Sequence, residues 1–232
     1  MRILIFIPAR GGSKGIPGKN LAEINNKPLI QFTLDTAKQL MRLGGFQWTP
    51  FVSTDDLKIK SFCESQSFDN KYIRPSSISQ DNSTVIDAVW DAYNWLKNNN
   101  KKLPDAVLLL QPTSPLRKLD CLIEAINILK SKRNTSVFSV TKMYEHPYEC
   151  IKTSDYGWNY LEKSITSADR RQEYEQNYYF IDGNFYLASI YFLEKYNSFI
   201  EEGISIPYVL KNRIPLDIDE PEDLELARHL LS

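Results

Sequence analysis

The chain has 232 residues, of which 42% are hydrophobic and 25% charged, which is enough for one sizeable globular domain with a small insertion and short of two full domains. The formal net charge of -1, with acidic and basic residues interspersed, excludes a broadly basic nucleic-acid-binding face and a basic membrane-binding patch. No apolar run approaches the roughly 20 residues that span a bilayer, and the three widely spaced cysteines (Cys63, Cys121 and Cys150) fit neither a disulfide framework nor a zinc site, so we expect a cytoplasmic protein.

Short apolar runs alternate with helical periodicity, which predicts parallel strands joined by helices. Residues 3–8 are apolar and are predicted to form the first strand, not a signal peptide. Arg10 follows them where a signal peptide would have a small-residue cleavage site. Asn26 is predicted to cap the first helix, with Pro28 in its first turn. The buried face of that helix is predicted to contain Ile30, Thr33, Leu34, Ala37, Leu40 and Met41.

The middle of the chain continues this alternation. A weaker strand at 50–53 precedes a helix that ends near Phe68, and Thr84 with Asp87 forms a capping box for the next helix. Residues 106–110 form the clearest buried strand, and 135–140 form another. The predicted core positions are Val85, Ala88, Val89, Ala92 and Leu96 in the helix after Thr84, and Leu122, Ile123, Ile126 and Leu129 in the helix after residue 110.

The character of the sequence changes between about 142 and 182, where Tyr, Asn and charged residues are frequent and periodicity is weak. The stretch is too long for a simple loop in a compact domain. We interpret it as an insertion in the single domain 1–232, packed against a second copy of the protein. The α/β pattern resumes at 185–188 and ends in a helix from Pro221, whose acidic first turn and basic last turn suit the helix dipole.

Four polar segments follow predicted strands, and ligands bind beyond the carboxyl ends of strands in open, mostly parallel sheets. In residues 8–20, glycines let the backbone wrap closely around an anion, and cations add the charge-assisted donors that a triphosphate needs. A solvated surface loop is the alternative. The segment is not a standard P-loop, since Ser13 replaces the first glycine and Asn20 the final Ser/Thr. Its cations are Arg10, Lys14 and Lys19.

The segment 216–219 carries two carboxylates, Asp217 and Asp219. Residues two apart in an extended chain face the same side, so these carboxylates converge and suit Mg²⁺ bound alongside substrate phosphates. The alternative is that Asp219 caps the last helix and Asp217 is merely solvated.

The remaining two segments offer donors for an anionic or hydroxylated ligand. Residues 110–117 hold polar and cationic side chains between two prolines, with a structural turn as the alternative. Residues 170–184 hold cations and tyrosines that suit a sugar carboxylate and hydroxyls, with a solvated charge run as the alternative. The side chains concerned are Gln111, Thr113, Ser114 and Arg117 in the first, and Arg170, Arg171, Tyr178, Tyr179, Asp182 and Asn184 in the second.

Taken together, these segments resemble the CMP-sialic acid synthetase (acylneuraminate cytidylyltransferase) family, which includes legionaminic and pseudaminic acid cytidylyltransferases. The matching stretches occur in family order and span almost the whole chain. They are 7–16 with Lys19 and Asn20, Arg74-Pro75, 110–117, 170–172, and 217–219 with Asp223-Leu224. The resemblance implies a Rossmann-like, mostly parallel twisted sheet flanked by helices, with a small dimerisation insertion at about 142–182.

The resemblance also implies roles for individual residues. Lys14, Arg10 and Asp217 would be catalytic, with Lys14 steadying the leaving pyrophosphate. Nucleotide binding would fall to Arg10, Gly11, Gly12, Ser13, Lys14, Lys19, Asn20, Arg74 and Thr84. Sugar binding would fall to Gln111, Lys142, Arg170, Arg171, Tyr179 and Asn184, with Arg170, Arg171 or Lys142 acting across a homodimer interface. Asp217 and Asp219 would hold Mg²⁺.

The implied reaction is transfer of CMP from CTP to the anomeric hydroxyl of a nonulosonic acid for surface glycan synthesis. The stretch 181–186 departs from the sialic acid pattern, which leaves the identity of the sugar open, and Val85 stands where the family usually has Thr or Ser. One alternative is a KDO cytidylyltransferase, whose first loop usually differs from Gly-Gly-Ser-Lys-Gly. Another is a catalytically silent nucleotide-binding protein, which would not need the Asp217/Asp219 pair.

Overall fold

The computed structural model describes residues 1–13, 15–69, 71–162, 177–211 and 216–231. The strands are β1 (Arg2–Pro8), β2 (Glu23–Ile24), β3 (Lys27–Pro28), β4 (Gln47–Ser53), β5 (Ala106–Leu109), β6 (Ser136–Lys142), β7 (Ile151–Ser154), β8 (Gly157–Tyr160), β9 (Tyr179–Ser189) and β10 (Ile206–Val209). The α-helices are α1 (Leu29–Met41), α2 (Leu57–Ser65), α3 (Val85–Asn98), α4 (Leu119–Ser131), α5 (Ile190–Tyr196) and α6 (Pro221–Leu230). No helix among these residues is both long and apolar enough to cross a membrane.

Six strands form one sheet in the order β10-β6-β9-β5-β1-β4. Strand β1 pairs in parallel with β4 and β5, β10 pairs in parallel with β6, and β9 is antiparallel to both of its neighbours. The carboxyl ends of β1, β4, β5 and β6 therefore lie at one edge, where ligands bind in sheets of this kind. The predicted mostly parallel α/β architecture is confirmed.

Helices cover both faces of the sheet because successive side chains of a strand point to opposite sides. Ile3, Ile5 and Ile7 of β1 belong to the core cluster formed with α1, α2 and α4. Leu4 and Phe6 belong to the cluster formed with α3 and α5. All five side chains are fully buried, so helices pack on both faces of the sheet and the fold has three layers.

The predicted helical stripes are confirmed except at their edges. Met41 is only half-buried at the end of α1. In α3 the buried residue is Ile86 where Val85 was predicted, and in α4 it is Ala125 where Ile123 was predicted. Each replacement is one or two positions along the helix, at the border of the apolar stripe, where composition alone does not fix which side chain faces the sheet.

The predicted cap at Asn26 is wrong. Asn25 and Asn26 have φ values of 50° and 63°, and they form the two-residue turn between the antiparallel strands β2 and β3. Paired positive φ values are what such a hairpin turn requires, and asparagine adopts them readily. Helix α1 begins after Pro28, which makes no side-chain cap.

A third apolar cluster joins segments that are about 200 residues apart in the chain. We call it the terminal cluster, and its buried members are Ile16, Ile24, Leu29, Leu216, Ile218, Leu224 and Ala227. It packs the segment after the first strand, the β2–β3 hairpin, residues 216–218 and α6 together. Burying each of its isoleucine and leucine side chains contributes about 1.5–3 kcal/mol, so the cluster holds the two ends of the chain against each other.

The predicted insertion at 142–182 overlaps the sheet at both ends, since β6 includes Lys142 and β9 begins at Tyr179. Between them, the described residues form a two-stranded hairpin, β7 with β8, whose side chains are exposed throughout. Residues 163–176 lie outside the described residues.

Candidate active site

A cavity of about 540 Å³ opens beyond the carboxyl ends of β1 and β5, and we call it the main cleft. Three of the four predicted polar segments contribute to its walls, together with residues 74–88. Eight predicted site residues line it: Arg10, Ser13, Lys19, Asn20, Arg74, Thr84, Gln111 and Asp219. The strand order therefore brings together residues from distant parts of the chain, as expected for the carboxyl edge of a parallel sheet.

The N-terminal loop (residues 9–20) lies directly on the twin-aspartate segment (residues 216–219). Lys19 Nζ donates to the Ile218 carbonyl oxygen at 2.7 Å and to Asp219 Oδ1 at 2.8 Å. An ideal Cβ on Gly15 would lie only 2.2 Å from the Asp219 carbonyl oxygen. Only glycine permits this approach without a backbone shift.

The twin aspartates face the same side because their neighbours are buried. Leu216 and Ile218 are at most 2% exposed and belong to the terminal cluster, so Asp217 and Asp219 point outward. The Ile218 N–H donates to the Thr113 carbonyl oxygen at 2.9 Å, which ties the segment to the loop after β5.

Helix α6 begins at a capping box that fixes the end of the twin-aspartate segment. The Asp223 carboxylate accepts hydrogen bonds from the backbone N–H groups of Asp219 and Glu220, at 3.0 and 2.9 Å. The N-cap residue is Glu220, so the interpretation of Asp219 as the helix cap is wrong. The Asp219 side chain is 68% exposed and bound to Lys19, which leaves it accessible to a ligand in the main cleft.

Arg10 extends from the end of β1 to the far wall of the main cleft. Its Nη1 donates to Asp81 Oδ1 at 3.1 Å and to the Gln80 carbonyl oxygen at 3.4 Å. Asn20 is buried, and its side-chain amide donates to the Arg10 carbonyl oxygen at 3.0 Å. Asn20 therefore supports the loop that presents Arg10, while also lining the cleft.

The two glycines after Arg10 have different surroundings. The Gly11 N–H donates to Asp55 Oδ1 at 2.9 Å, so the phosphate contact predicted for this N–H is taken here by a carboxylate. A Cβ on Gly11 would lie 2.9 Å from Asp56, which caps α2, whereas a Cβ on Gly12 would meet open space. The loop packs closely on the start of α2 at Gly11 and is open toward solvent at Gly12.

Arg74 is a buried cation in the wall of the cleft. Its Nε donates to Ser53 Oγ at 2.9 Å and its Nη2 to the Ser53 carbonyl oxygen at 2.6 Å, at the end of β4. Burial lowers the pKa of Arg74 from its ordinary value, although a guanidinium stays protonated in proteins. These bonds fix its orientation toward the cleft.

Thr84 lies at the opposite wall, at the start of α3. The predicted capping box is confirmed: Thr84 Oγ1 accepts from the Asp87 N–H at 3.2 Å, and Asp87 accepts from the Thr84 N–H at 3.0 Å. The box fixes the first turn of α3 beside the cleft.

Gln111 stands at the border between the main cleft and a second cavity of about 390 Å³. The two cavities share Thr84, Val85 and Gln111. The distal wall of the second one is largely apolar and contains Tyr186, Phe199 and Ile200.

Gly183 lies beside both Gln111 and Asp217. A Cβ placed on Gly183 would lie 3.4 Å from Gln111 Oε1 and 3.5 Å from Asp217 Oδ2. Gly183 is therefore adjacent to both side chains, although Asp217 lines neither the main cleft nor the second cavity. Cationic, carboxylate and amide groups around one cavity of this size can bind a charged nucleotide and a second polar substrate.

The sequence profile of a protein family described as Cytidylyltransferase matches residues 4–232. The chain belongs to the cytidylyltransferase family.

Several relatives of this cytidylyltransferase are known by activity. It is 32% identical over 232 residues to the CMP-N,N'-diacetyllegionaminic acid synthase of Legionella pneumophila, covering 100% of this chain and 97% of that protein. It is 30% identical over 234 residues to the N-acylneuraminate cytidylyltransferase of Streptococcus agalactiae serotype V, covering 99% of this chain and 54% of that longer protein. It is 29% identical over 233 residues to the pseudaminic acid cytidylyltransferase of Campylobacter jejuni serotype O:2, covering 99% of this chain and 96% of that protein. The resemblance drawn from the sequence motifs is confirmed.

Solved structures agree on the fold. A CMP:2-keto-3-deoxy-manno-octonic acid synthetase complexed with CTP superposes with a TM-score of 0.69 at 17% identity, covering 100% of this chain and 98% of that one. The 4-diphosphocytidyl-2C-methyl-D-erythritol synthase of Anaerococcus prevotii gives a TM-score of 0.61 at 15% identity, covering 99% and 95% of the two chains. At these identities the similarity concerns the fold alone.

Some residues predicted to bind the sugar lie away from the cleft of this cytidylyltransferase. Lys142 and Tyr179 are partners in the β6–β9 ladder, and both are exposed. Neither lines the main cleft or the second cavity. Within one chain they are not placed to contact a sugar next to Gln111, so their sugar contacts stay a prediction that requires a second copy.

Asn184 supports a loop near the site. Its side chain is 1% exposed, and its amide donates to the Leu116 carbonyl oxygen at 3.2 Å. Arg117 donates from Nε to the Asn184 carbonyl oxygen at 2.7 Å and from Nη2 to the Gln111 carbonyl oxygen. Arg117, predicted as a possible ligand donor, thus holds the backbone of Gln111 in place.

Lys14, Arg170 and Arg171 lie outside the described residues. Sequence reasoning missed Tyr186, Phe199 and Asp81, all of which line one of the cavities. Burial, followed by the charges of Asp217 and Asp182, raises the pKa of Tyr186. Tyr186 follows Gly183 by three residues within β9, and that glycine was the available signal. For Phe199 and Asp81 no local motif distinguishes them from ordinary core and turn residues.

Proposed function

We propose that this cytidylyltransferase joins CMP from CTP to the anomeric hydroxyl of a nonulosonic acid and releases pyrophosphate. The observation that carries the proposal is the meeting of the cationic N-terminal loop with the twin-aspartate segment, where Lys19 Nζ lies 2.8 Å from Asp219 Oδ1. Relatives named for legionaminic, N-acylneuraminic and pseudaminic acids support this class of acceptor. The product would be a CMP-activated sugar made in the cytoplasm for surface glycan synthesis.

The main cleft suits the nucleotide. Arg10 and Lys19 contribute two cations to its lining, and phosphate groups bind strongly to such charge-assisted donors. Arg74 would hold the ribose or base end, because its guanidinium is fixed by Ser53 deep in the same cavity. Lys14, which lies outside the described residues, would steady the leaving pyrophosphate.

Magnesium fits the donor set of the twin aspartates. Mg²⁺ commonly binds through one or two carboxylates together with substrate phosphates and water, and Asp217 and Asp219 offer two exposed carboxylates on one side of an extended segment. Among the described residues, no group of three or more His, Cys, Asp or Glu side chains is placed to hold a metal, so phosphate oxygens would complete the site. When bound, the ion would neutralise charge on the triphosphate.

The acceptor sugar would occupy the second cavity. Gln111 lies between this cavity and the nucleotide cleft, so a sugar bound there would present its reacting end to the α-phosphate. The apolar surface of Phe199 and Ile200 would contact the acyl substituents of the sugar, while Gln111 would donate to a hydroxyl or carboxylate near the reacting carbon.

Direct in-line displacement needs little covalent help from the protein. The bond from the anomeric oxygen to the α-phosphorus forms as the bond to the bridging oxygen of pyrophosphate breaks and the hydroxyl proton passes to water. The protein supplies alignment and charge neutralisation. Neither histidine lines the cleft. His229 Nδ1 lies 2.9 Å from the Glu225 carbonyl oxygen on α6, and His146 packs between Tyr148 and Tyr178.

A homodimer would complete the sugar site. The region around the β7–β8 hairpin exposes a set of large apolar side chains, which is unusual for a surface that meets only water. They are Tyr144, Ile151, Tyr156, Trp158, Tyr160, Leu161, Tyr179, Phe180 and Ile181. Packing of this surface on a second copy would bring Lys142 toward the neighbouring cleft, where Arg170 or Arg171, which lie outside the described residues, is also predicted to act.

The test is a pyrophosphate-release assay with CTP and Mg²⁺ against a panel of sialic, legionaminic, pseudaminic and KDO sugars. We expect turnover with at least one nonulosonic acid, weaker turnover with KDO, and little with ATP, GTP or UTP. Light scattering in parallel should give twice the mass of the chain. Turnover with KDO alone would replace the proposed acceptor, and a complete lack of turnover despite CTP binding would favour a silent nucleotide-binding protein.

A further inference from the structure

Asp81 places a negative charge opposite the loop that is proposed to bind phosphate. Its carboxylate accepts the hydrogen bond from Arg10 Nη1 at 3.1 Å. It lines the main cleft and also a shallower recess between residues 79–82 and the pair Gly12 and Ser13. A triphosphate that contacts this loop would therefore come close to the Asp81 carboxylate.

The turn that carries Asp81 is held in place by its own hydrogen bonds. The Ser83 N–H donates to the Gln80 carbonyl oxygen, and the Gln80 N–H donates to Ser83 Oγ, each at 3.1 Å. Gln80 Nε2 donates to the Ser76 carbonyl oxygen at 2.8 Å, and Thr84, which follows Ser83, is the N-cap of α3. The position of Asp81 at the cleft is thus built into the backbone.

The ion pair between Asp81 and Arg10 is weak enough for a ligand to replace Asp81 as the partner of Arg10. The side chains of Arg10 and Asp81 are 33% and 58% exposed, and ion pairs this accessible to water are weak. Phosphate oxygens bind arginine more strongly than a single exposed carboxylate does, because they offer several acceptors and more charge. Phosphate would therefore displace Asp81 from Arg10 and then lie near a like charge.

We propose that Asp81 competes with substrate phosphates for Arg10 and so weakens the hold of the cleft on both CTP and pyrophosphate. This inference rests on the proposed function, since it assumes that phosphates occupy the main cleft. Asp81 is a positioning residue that acts through Arg10. This competition speeds the release of pyrophosphate and also weakens the binding of CTP.

The test is calorimetric titration of inorganic pyrophosphate, and separately of CTP, into wild-type protein and Asp81→Asn with Mg²⁺ present. Removing the competing charge should lower both Kd values by roughly two- to fivefold, the scale of an exposed ion pair. The difference should shrink at high salt, because exposed charges are screened. In steady state, KM for CTP and the inhibition constant of pyrophosphate should fall together, while kcat does not rise.

Two further variants make the result specific. Asp81→Glu keeps the charge and should bind pyrophosphate within about twofold of wild type. Asp35→Asn breaks a comparable exposed pair, with Lys27 at 2.6 Å, outside the cleft, and should change neither Kd. An Asp81→Asn variant with an unchanged or higher Kd for pyrophosphate would overturn the inference.

The two proposals fail differently. If wild-type protein binds neither pyrophosphate nor CTP, both the inference and the proposed function are overturned. If Asp81→Asn tightens pyrophosphate binding but no sugar in the panel is a substrate, the role of Asp81 stands and only the proposed acceptor is wrong.

Discussion

Replacing Gly15 with alanine tests whether the N-terminal loop must lie directly on the twin-aspartate segment. A Cβ at this position would be 2.2 Å from the Asp219 carbonyl oxygen and 3.2 Å from Glu220 Oε2. Carbon and other heavy atoms pack best at about 3.5–4.0 Å, so the two segments must separate by at least about 1 Å. A misplacement of that size in the groups that position a substrate costs about 100-fold in rate.

We therefore expect kcat/KM for CTP to fall about 100-fold in Gly15→Ala, measured by pyrophosphate release. The same overlap should destabilise the fold by about 1–3 kcal/mol, and each kcal/mol should lower Tm by about 2–4 °C in a chain of this length. Thermal unfolding monitored by circular dichroism would give the second quantity.

The matched control is Gly44→Ala, in the turn after α1, where a Cβ would meet nothing within 4 Å. This variant should stay within about 0.5 kcal/mol of wild type in stability and keep its activity. Wild-type kcat/KM and Tm in Gly15→Ala would refute the reasoning. A lower Tm with normal kcat/KM would show that the close approach serves stability alone.

Three further predictions follow from the described contacts. Asp217→Ala should lower turnover by at least about 100-fold while weakening CTP binding only moderately by calorimetry, and retained turnover would contradict the metal assignment. Hydrogen bonds from the Thr84 hydroxyl and N–H lower the pKa of Asp87. The ionised Asp87 carboxylate therefore stabilises the fold fully above the pKa of about 3.9 in the unfolded chain, and this stabilisation is lost as pH falls through the lower pKa in the folded chain. Urea unfolding should accordingly show that Asp87→Ala lowers the free energy of unfolding by about 0.5 kcal/mol at pH 7, and by less below pH ~4. The same decrease at pH 7 and below pH ~4 would exclude the ionised carboxylate as its cause. Burial raises the pKa of the Cys63 thiol to about 12, so a thiol reagent at pH 8 should label Cys63 only after unfolding, as mass spectrometry of digests would show.

Much of the fold was predictable because local patterns and tertiary packing agree. Strand β1 and the capping box of Thr84 both follow from a few adjacent residues. The Asn25-Asn26 turn was mistaken for a helix cap because asparagine is favoured in both settings, and only the pairing of β2 with β3 decides between them. The position of antiparallel β9 in the middle of the sheet depends on long-range pairing, which no local pattern encodes.

The site was predictable where residue spacing carries the geometry. Alternation of buried and exposed residues places Asp217 and Asp219 on one side, as the sequence indicated. The partners of the cations were not predictable, because Arg10 and Asp81 are separated by 71 residues and neither has a distinctive local motif. The resemblance to a family identified Gln111 and Arg74 as site residues. The hydrogen bonds that hold them, from Arg117 to the Gln111 carbonyl oxygen and from Arg74 to Ser53, are seen only in the folded chain.

The terminal cluster can form only after almost the whole chain has been synthesised, because its members lie near both ends of the sequence. Ile16 leaves the ribosome early, but its packing partners Leu216 and Ile218 are made some 200 residues later. A nascent chain can therefore assemble β1, β4 and β5 well before Asp219 is available to pair with Lys19. Removal of α6 should therefore leave a largely formed sheet but weaken the packing that holds Asp219 against Lys19.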